Sequence, residues 1–194
     1  MIARDFEPLD IESPIAAWRA AQSFDELLVL GAAFLDGRCA HFPGWGAQAT
    51  DVETDAIRAE LLALNAVGFL SVASQPAFEG RRDGRSVRQR AFVIGFARPA
   101  LAARWCGVRG IEARTWTGES SLVVSAEEPM TLEDGLARVV AGHPARDEEL
   151  ALFEDEIGAH ALDELRATTF VAAWDPVFGR ERVLWDELIH LGNS

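Results

Sequence analysis

The chain has 194 residues, of which 49% are hydrophobic and 25% charged, values typical of one globular domain with a sizeable core. The formal net charge of −13 argues against general binding to nucleic acid or to an anionic membrane. No apolar run reaches the roughly 18 residues that a membrane span needs, and the acidic N-terminus has no apolar signal core, so we expect a cytoplasmic protein.

In the first half of the chain, helix signals precede a strand. Ser23 and Glu26 form one predicted capping box, and Thr50 and Glu53 form a second. We predict a short helix over 14–18, a helix from 24 that ends at Gly37, a helix behind Thr50 that stops at Gly68, and a strand at 69–73.

The second half alternates between the two types of element. The predicted order is a turn at 76–86, a strand at 88–96, a helix at 99–106, strands at 111–118 and 121–126, a helix opening at Thr131, a helix over 147–156, a strand at 168–174, and a last helix carrying Leu184, Trp185 and Leu188. This order predicts a single α+β domain over 1–194, with a mixed or mostly antiparallel sheet flanked by helices and an N-terminal arm and short helix at 1–22.

Few residues suggest catalysis or metal binding. Cys39 and Cys106 lie far apart, and we expect both to be reduced. Cys39 and His41 have the spacing of half a metal site, but no second half follows, so we predict no metal. No phosphate-binding glycine loop and no Gly-x-Ser-x-Gly motif is present, and His41 is a weak candidate for a catalytic base.

Five arginines fall within one ten-residue stretch: Arg81, Arg82, Arg85, Arg88 and Arg90. A basic loop on an acidic protein can bind an anion. The alternative is a solvated hairpin loop, which a run of charges more often forms.

Three stretches carry a resemblance to a known family. They are FLDGRCAHFPGWGAQATDVET at 34–54, ELLALNAVGFLSVASQP at 60–76 followed by QRAFVIGF at 89–96, and TFVAAWDPVFGRERVLW at 169–185. Read together, they resemble the C-terminal regulatory domain of eukaryotic methylenetetrahydrofolate reductase, which binds S-adenosylmethionine and inhibits that enzyme. None of these 194 residues resembles the flavin-binding barrel of the reductase, so we expect a ligand pocket and not reductase activity.

The resemblance implies four ligand-lining residues: Glu53, Thr54, Ser71 and Ser74. A carboxylate can hold an ammonium group or ribose hydroxyls, and side-chain hydroxyls can serve the amino-acid end of S-adenosylmethionine or S-adenosylhomocysteine. Ser71 and Ser74 would point to opposite faces of a regular strand, so both reach one ligand only if the strand bends or ends between them.

Several of these side chains have a structural alternative. Glu53 would close the Thr50 capping box, and Ser74 would be a turn residue. Three further residues are candidates for supporting the site or for binding an anion: Gln75, Gln89 and Arg90. For the two glutamines we favour a structural role, in which they form a buried amide pair that braces two strands. Two tryptophans, Trp45 and Trp185, would stack on adenine or lie in the core. Asp175 is expected to accept from backbone N–H groups of its turn.

Three functions remain open from the sequence. The first is a stand-alone domain that binds S-adenosylmethionine or S-adenosylhomocysteine and acts as a sensor or as a subunit that regulates another protein. The second is a small S-adenosylmethionine-dependent methyltransferase that brings a methyl acceptor into line. The third is an acidic module that binds a basic protein and holds no ligand.

Overall fold

The computed structural model describes residues 13–44, 49–116, 122–123, 129–138, 142–143 and 146–193. Its helices in chain order are α1 (Pro14–Ala20), α2 (Phe24–Leu35), α3 (Val52–Asp55), α4 (Arg58–Ala66), α5 (Pro99–Trp105), α6 (Arg146–Glu154), α7 (Ala159–Arg166) and α8 (Val183–Gly192). Its strands are β1 (Phe69–Gln75), β2 (Phe78–Arg82), β3 (Arg85–Gln89), β4 (Phe92–Ala97), β5 (Glu112–Trp116), β6 (Leu122–Val123), β7 (Thr131–Glu133), β8 (Leu136–Arg138), β9 (Gly142–His143) and β10 (Thr169–Trp174).

The main sheet has the strand order β1-β4-β10-β5, and each of its pairings is antiparallel. Its two central strands, β4 and β10, are buried almost throughout, which explains their nearly continuous apolar sequences. Helices α1, α2, α6 and α7 contribute to the apolar cluster on one face, and α4, α5 and α8 contribute to the cluster on the other. The main sheet is therefore the middle layer of three.

A smaller second sheet has the order β2-β3-β7-β8. Two Asp-Gly turns build it: Asp83 and Gly84 have φ of 50° and 81°, and Asp134 and Gly135 have φ of 49° and 79°. Positive φ at both central residues is the geometry of the tight hairpin turn that matches strand twist.

These turns correct two predictions. The segment 76–86 was predicted to be a turn, but most of it forms the β2–β3 hairpin. The helix predicted to open at Thr131 is wrong, because β7 and β8 occupy that segment. In both places the two-residue turn comes from Asp-Gly, a strong local signal for a hairpin.

Most other boundaries are close to the prediction, but the one helix predicted between Thr50 and Gly68 is two helices, α3 and α4. The strand expected at 88–96 is interrupted between Gln89 and Phe92, so its start belongs to the second sheet and its remainder to the main sheet. Helix α7 was not predicted. The predicted arm before residue 13, and parts of the strands predicted at 111–118 and 121–126, lie outside the described residues. The α+β class with antiparallel sheets flanked by helices is confirmed, and among the helices described none is long and apolar enough to cross a membrane.

Candidate functional site

A cavity of about 330 Å³ lies between α2, α4, strand β1 and the start of α3. We call it the α2–β1 cavity. Its deeper wall is apolar and buried, with Phe34, Phe42, Leu61 and Leu70 among its residues. Its more exposed wall is polar and is lined by Thr50, Asp51, Thr54, Ser71 and Ser74. Three of the four predicted ligand residues therefore lie at this one cavity.

A β-bulge brings the two predicted serines to the same cavity. In the pairing of β1 with β4, Ser71 is opposite Gly95 and Ala73 is opposite Ile94, so Val72 is the extra residue. An extra residue bends a strand and interrupts the alternation of its side chains. The strand therefore bends between Ser71 and Ser74, and both residues line the cavity. This is the condition that the sequence analysis set for the two serines to contact one ligand.

The start of α3 is capped by Asp51. Its Oδ1 accepts hydrogen bonds from the backbone N–H of Thr54 at 3.1 Å and from the Thr54 hydroxyl at 3.0 Å. The predicted capping box of Thr50 and Glu53 is therefore wrong, because the helix begins one residue later than that box requires. Asp51 places a carboxylate at the exposed edge of the cavity. Because the Thr54 hydroxyl donates its hydrogen to Asp51, its oxygen can still accept a hydrogen bond from a ligand.

Arg58 holds the surrounding segments together. Its guanidinium donates to the backbone carbonyl of Leu35 at the end of α2, to the Asp55 carboxylate, and to the Thr50 hydroxyl at 3.4 Å. One side chain thus links α2 to the segment before α3. These bonds fix two of the walls between which the cavity lies.

Asn65 contributes a buried amide to the same cavity. It lies on α4, is 4% exposed, and its Nδ2 has no hydrogen-bond partner among the described residues. The sequence analysis did not select it, although a signal was present. Asn65 is four residues after Leu61 and so lies on the apolar face of α4, where a polar side chain is unusual.

Glu53 lies away from the α2–β1 cavity. It lines a second cavity of about 600 Å³, together with Pro76, Phe78, Arg82 and others. One carboxylate oxygen of Glu53 accepts from Arg82, and the other accepts from Gln89 at 3.2 Å. These bonds tie α3 to the second sheet, and a direct ligand role for Glu53 stays a prediction.

The two glutamines brace the point where the chain passes from one sheet to the other. Gln75 donates to the Arg90 carbonyl at 2.8 Å, and Gln89 donates to the Pro76 carbonyl at 2.8 Å. Both are buried. Each thus bonds the backbone beside the other, which is the structural role predicted for this amide pair.

The arginines of the β2–β3 hairpin are largely engaged with neighbouring groups. Three pair with carboxylates: Arg82 with Glu53, Arg85 with Glu133 at 2.5 Å, and Arg88 with Glu79 at 3.1 Å. The hydrogen bond that Arg85 donates to the Glu133 carboxylate raises the pKa of this exposed arginine. The guanidinium of Arg90 lies over the ring of Phe178, 4.6 Å from its centre. This arrangement fits the hairpin alternative better than an anion site.

His41 is tied to an acidic partner. Its Nε2 lies 2.5 Å from Oε2 of Glu156, and its backbone carbonyl accepts from the Trp18 indole at 3.1 Å and from the Cys39 thiol at 3.3 Å. His41 does not line the α2–β1 cavity, although Phe42 does. Within the described part of the chain, no three His, Cys, Asp or Glu side chains cluster as metal ligands would.

The remaining candidates have structural positions. Trp185 is 1% exposed in the core behind the main sheet, and Trp45 lies outside the described residues. Asp175 accepts from the backbone N–H of Val177 at 2.8 Å, as predicted, and also binds the Arg180 guanidinium. Cys39 is buried and free, and partial burial raises the pKa of the free Cys106 thiol.

Comparison with known proteins gives one family. The family model described as "Domain of unknown function (DUF6919)" matches residues 14–191. The chain belongs to this family. No curated protein matches it. The match extends from α1 to α8 and so includes every element that forms the α2–β1 cavity.

Proposed function

We propose that this member of the DUF6919 family binds S-adenosylmethionine or S-adenosylhomocysteine in the α2–β1 cavity. The observation that carries the proposal is the convergence of Thr54, Ser71 and Ser74 at one cavity through the bulge at Val72. These are three of the four positions that the resemblance to the reductase regulatory domain implies. They come from two segments, and the chain must fold before they can meet.

The two walls of the cavity suit the two ends of such a ligand. A volume of about 330 Å³ is at the lower end of the range of small-molecule sites. The hydroxyls on the exposed wall can donate to the ligand carboxylate or accept from its ammonium group. The apolar residues of the deeper wall can cover a flat ring, whose removal from water favours binding.

The charge of the cavity favours a cation. Its described lining contains one carboxylate, that of Asp51, and no basic side chain. The chain as a whole has a net charge of −13, which attracts cations to its surface. The sulfonium of S-adenosylmethionine is a cation, and we place it on the Asp51 side of the cavity.

Binding without methyl transfer accounts for the side chains that line the cavity. The one titratable side chain in its described lining is Asp51, and this carboxylate already accepts two hydrogen bonds from Thr54 as the cap of α3, so it is engaged rather than placed to take a proton from a methyl acceptor. We therefore assign the domain to ligand sensing or to regulation of a partner protein, and give Glu53 the role of positioning α3 against the second sheet.

Isothermal titration with both ligands tests the proposal. We expect wild-type protein to bind at least one of them. The double variant Ser71→Ala/Ser74→Ala should bind about 25-fold more weakly, because each lost hydrogen bond costs roughly 1 kcal/mol. Ser86→Ala on strand β3 is the matched control, since Ser86 is exposed and lies outside the cavity. Absence of binding at millimolar ligand, or equal affinity in all three proteins, would contradict the proposal.

A further inference from the structure

One buried amide at the α2–β1 cavity is left without a partner. Asn65 is 4% exposed and lines the cavity, and its Nδ2 has no hydrogen-bond partner within the described residues. A buried donor that forms no hydrogen bond destabilises the folded protein. A residue retained in this state is most simply explained by a group that enters the cavity and accepts from it.

The surroundings of Asn65 define the shape of that group. A Cβ added to Gly31 of α2 would come within 3.1 Å of Asn65 Nδ2 and 2.6 Å of Leu70 Cδ1, so glycine at this position lets α2 pack closely against the amide and Leu70. The neighbouring lining residues Leu61 and Leu70 are each 1% exposed and apolar. The group beside Asn65 must therefore be largely apolar and must carry one hydrogen-bond acceptor.

We infer that Asn65 recognises the ligand's purine ring by donating a hydrogen bond from Nδ2 to a ring nitrogen at the buried end of the cavity. This inference rests on the proposed function. It places the purine end of the ligand beside Asn65, at the end of the cavity away from the two serines. A purine has apolar faces and accepts hydrogen bonds through N1, N3 and N7. The hydroxyl-bearing wall then holds the amino-acid end, and Asn65 discriminates against ligands that lack the acceptor.

Titration with deaza analogues identifies the bond. In 1-deaza-, 3-deaza- and 7-deaza-S-adenosylhomocysteine, one ring nitrogen at a time is replaced by a C–H group. We expect one analogue to bind wild-type protein about tenfold more weakly than the parent, because the Asn65 amide then faces a group that cannot accept. In Asn65→Leu the parent should bind about tenfold more weakly, and the same analogue should lose no further affinity.

Thermal unfolding separates recognition from a structural role. Without ligand, Asn65→Leu should melt about 2–4 °C higher than wild type, because it replaces an unpartnered buried amide by an apolar side chain with the same branching. Leu64→Met is the matched control on the same helix: Leu64 is buried but does not line the cavity, so ligand affinity should stay unchanged. A second variant, Gly31→Ala, places a methyl group against Leu70 Cδ1 and Asn65 Nδ2, so these side chains must shift and binding should weaken about tenfold.

The outcomes distinguish this inference from the proposed function. If S-adenosylhomocysteine binds wild type and Asn65→Leu equally, and all three analogues bind like the parent, the inference is overturned while the proposed function stands. A lower melting temperature for unliganded Asn65→Leu would also overturn it, since the amide would then be structural. If methylthioadenosine binds through Asn65 but neither proposed ligand binds, the proposed function fails and the purine assignment stands. Absence of binding by all of these compounds would overturn both.

Discussion

Single residues at the exposed wall combine structural and chemical roles. Asp51 caps α3 with the same carboxylate that supplies the negative charge of the cavity lining. Asparagine caps a helix about as well as aspartate does, because its amide oxygen accepts the same hydrogen bond. The two roles of Asp51 can therefore be separated by one substitution.

Asp51→Asn should reduce affinity for S-adenosylmethionine about threefold and leave affinity for S-adenosylhomocysteine nearly unchanged. The two ligands share their amino-acid end and differ in the sulfonium charge, and an exposed charge contributes up to about 1 kcal/mol. Titrations at low and high salt should show the difference shrinking as salt screens it. Asp36→Asn, which removes an exposed charge outside the cavity, should have no such effect. Equal losses for both ligands would refute this role of Asp51.

At the scale of elements, the bulge in β1 depends on a glycine in the neighbouring strand. Gly95 lies opposite Ser71, and a Cβ there would come within 2.1 Å of the Leu70 carbonyl oxygen and 2.9 Å of Ser71 Cα. Both are backbone atoms, which cannot rotate away as a side chain can. Glycine within a buried strand often marks such a close approach of two backbones.

Gly95→Ala should lower the free energy of unfolding by about 2 kcal/mol, as overpacking a core typically does, and should also weaken ligand binding because it displaces β1. Denaturant unfolding and titration measure the two effects. Gly107→Ala is the control, because its added Cβ meets nothing nearer than the Arg104 carbonyl oxygen at 3.6 Å. A change in stability within about 0.5 kcal/mol for Gly95→Ala would show that β1 tolerates the methyl group.

Local patterns predicted some elements and failed for others. The long helix α2 and the buried strand β10 were predictable, because a cap with an apolar period and a bounded apolar run are both local signals. Strands β7 and β8 are short, and β7 is only half-buried, so the Thr131-to-Asp134 segment resembles a helix start as much as a strand. The decisive sequence signal is the Asp134-Gly135 pair, because both residues readily adopt the positive φ angles that a tight hairpin turn requires and that they have in the structure.

At the scale of the whole molecule, the cavity joins segments that are separate in sequence. Thr54, Ser71 and Ser74 were named beforehand only because the resemblance to the reductase regulatory domain implies them, whereas the bulge depends on the register of β1 against β4. Glu53 shows the opposite case. Its neighbour Thr54 lines the α2–β1 cavity, while the Glu53 side chain points away from that cavity and accepts a hydrogen bond from Arg82. Which side of a short helix a residue faces depends on the packing of the whole domain.

A crystal structure of the protein grown with millimolar S-adenosylhomocysteine tests the central claim most directly. We predict ligand in the α2–β1 cavity, with a purine nitrogen about 3 Å from Asn65 Nδ2 and the amino-acid end beside Thr54, Ser71 and Ser74. Ligand in the second cavity beside Glu53 and Arg82, or an α2–β1 cavity that holds solvent alone, would contradict the claim.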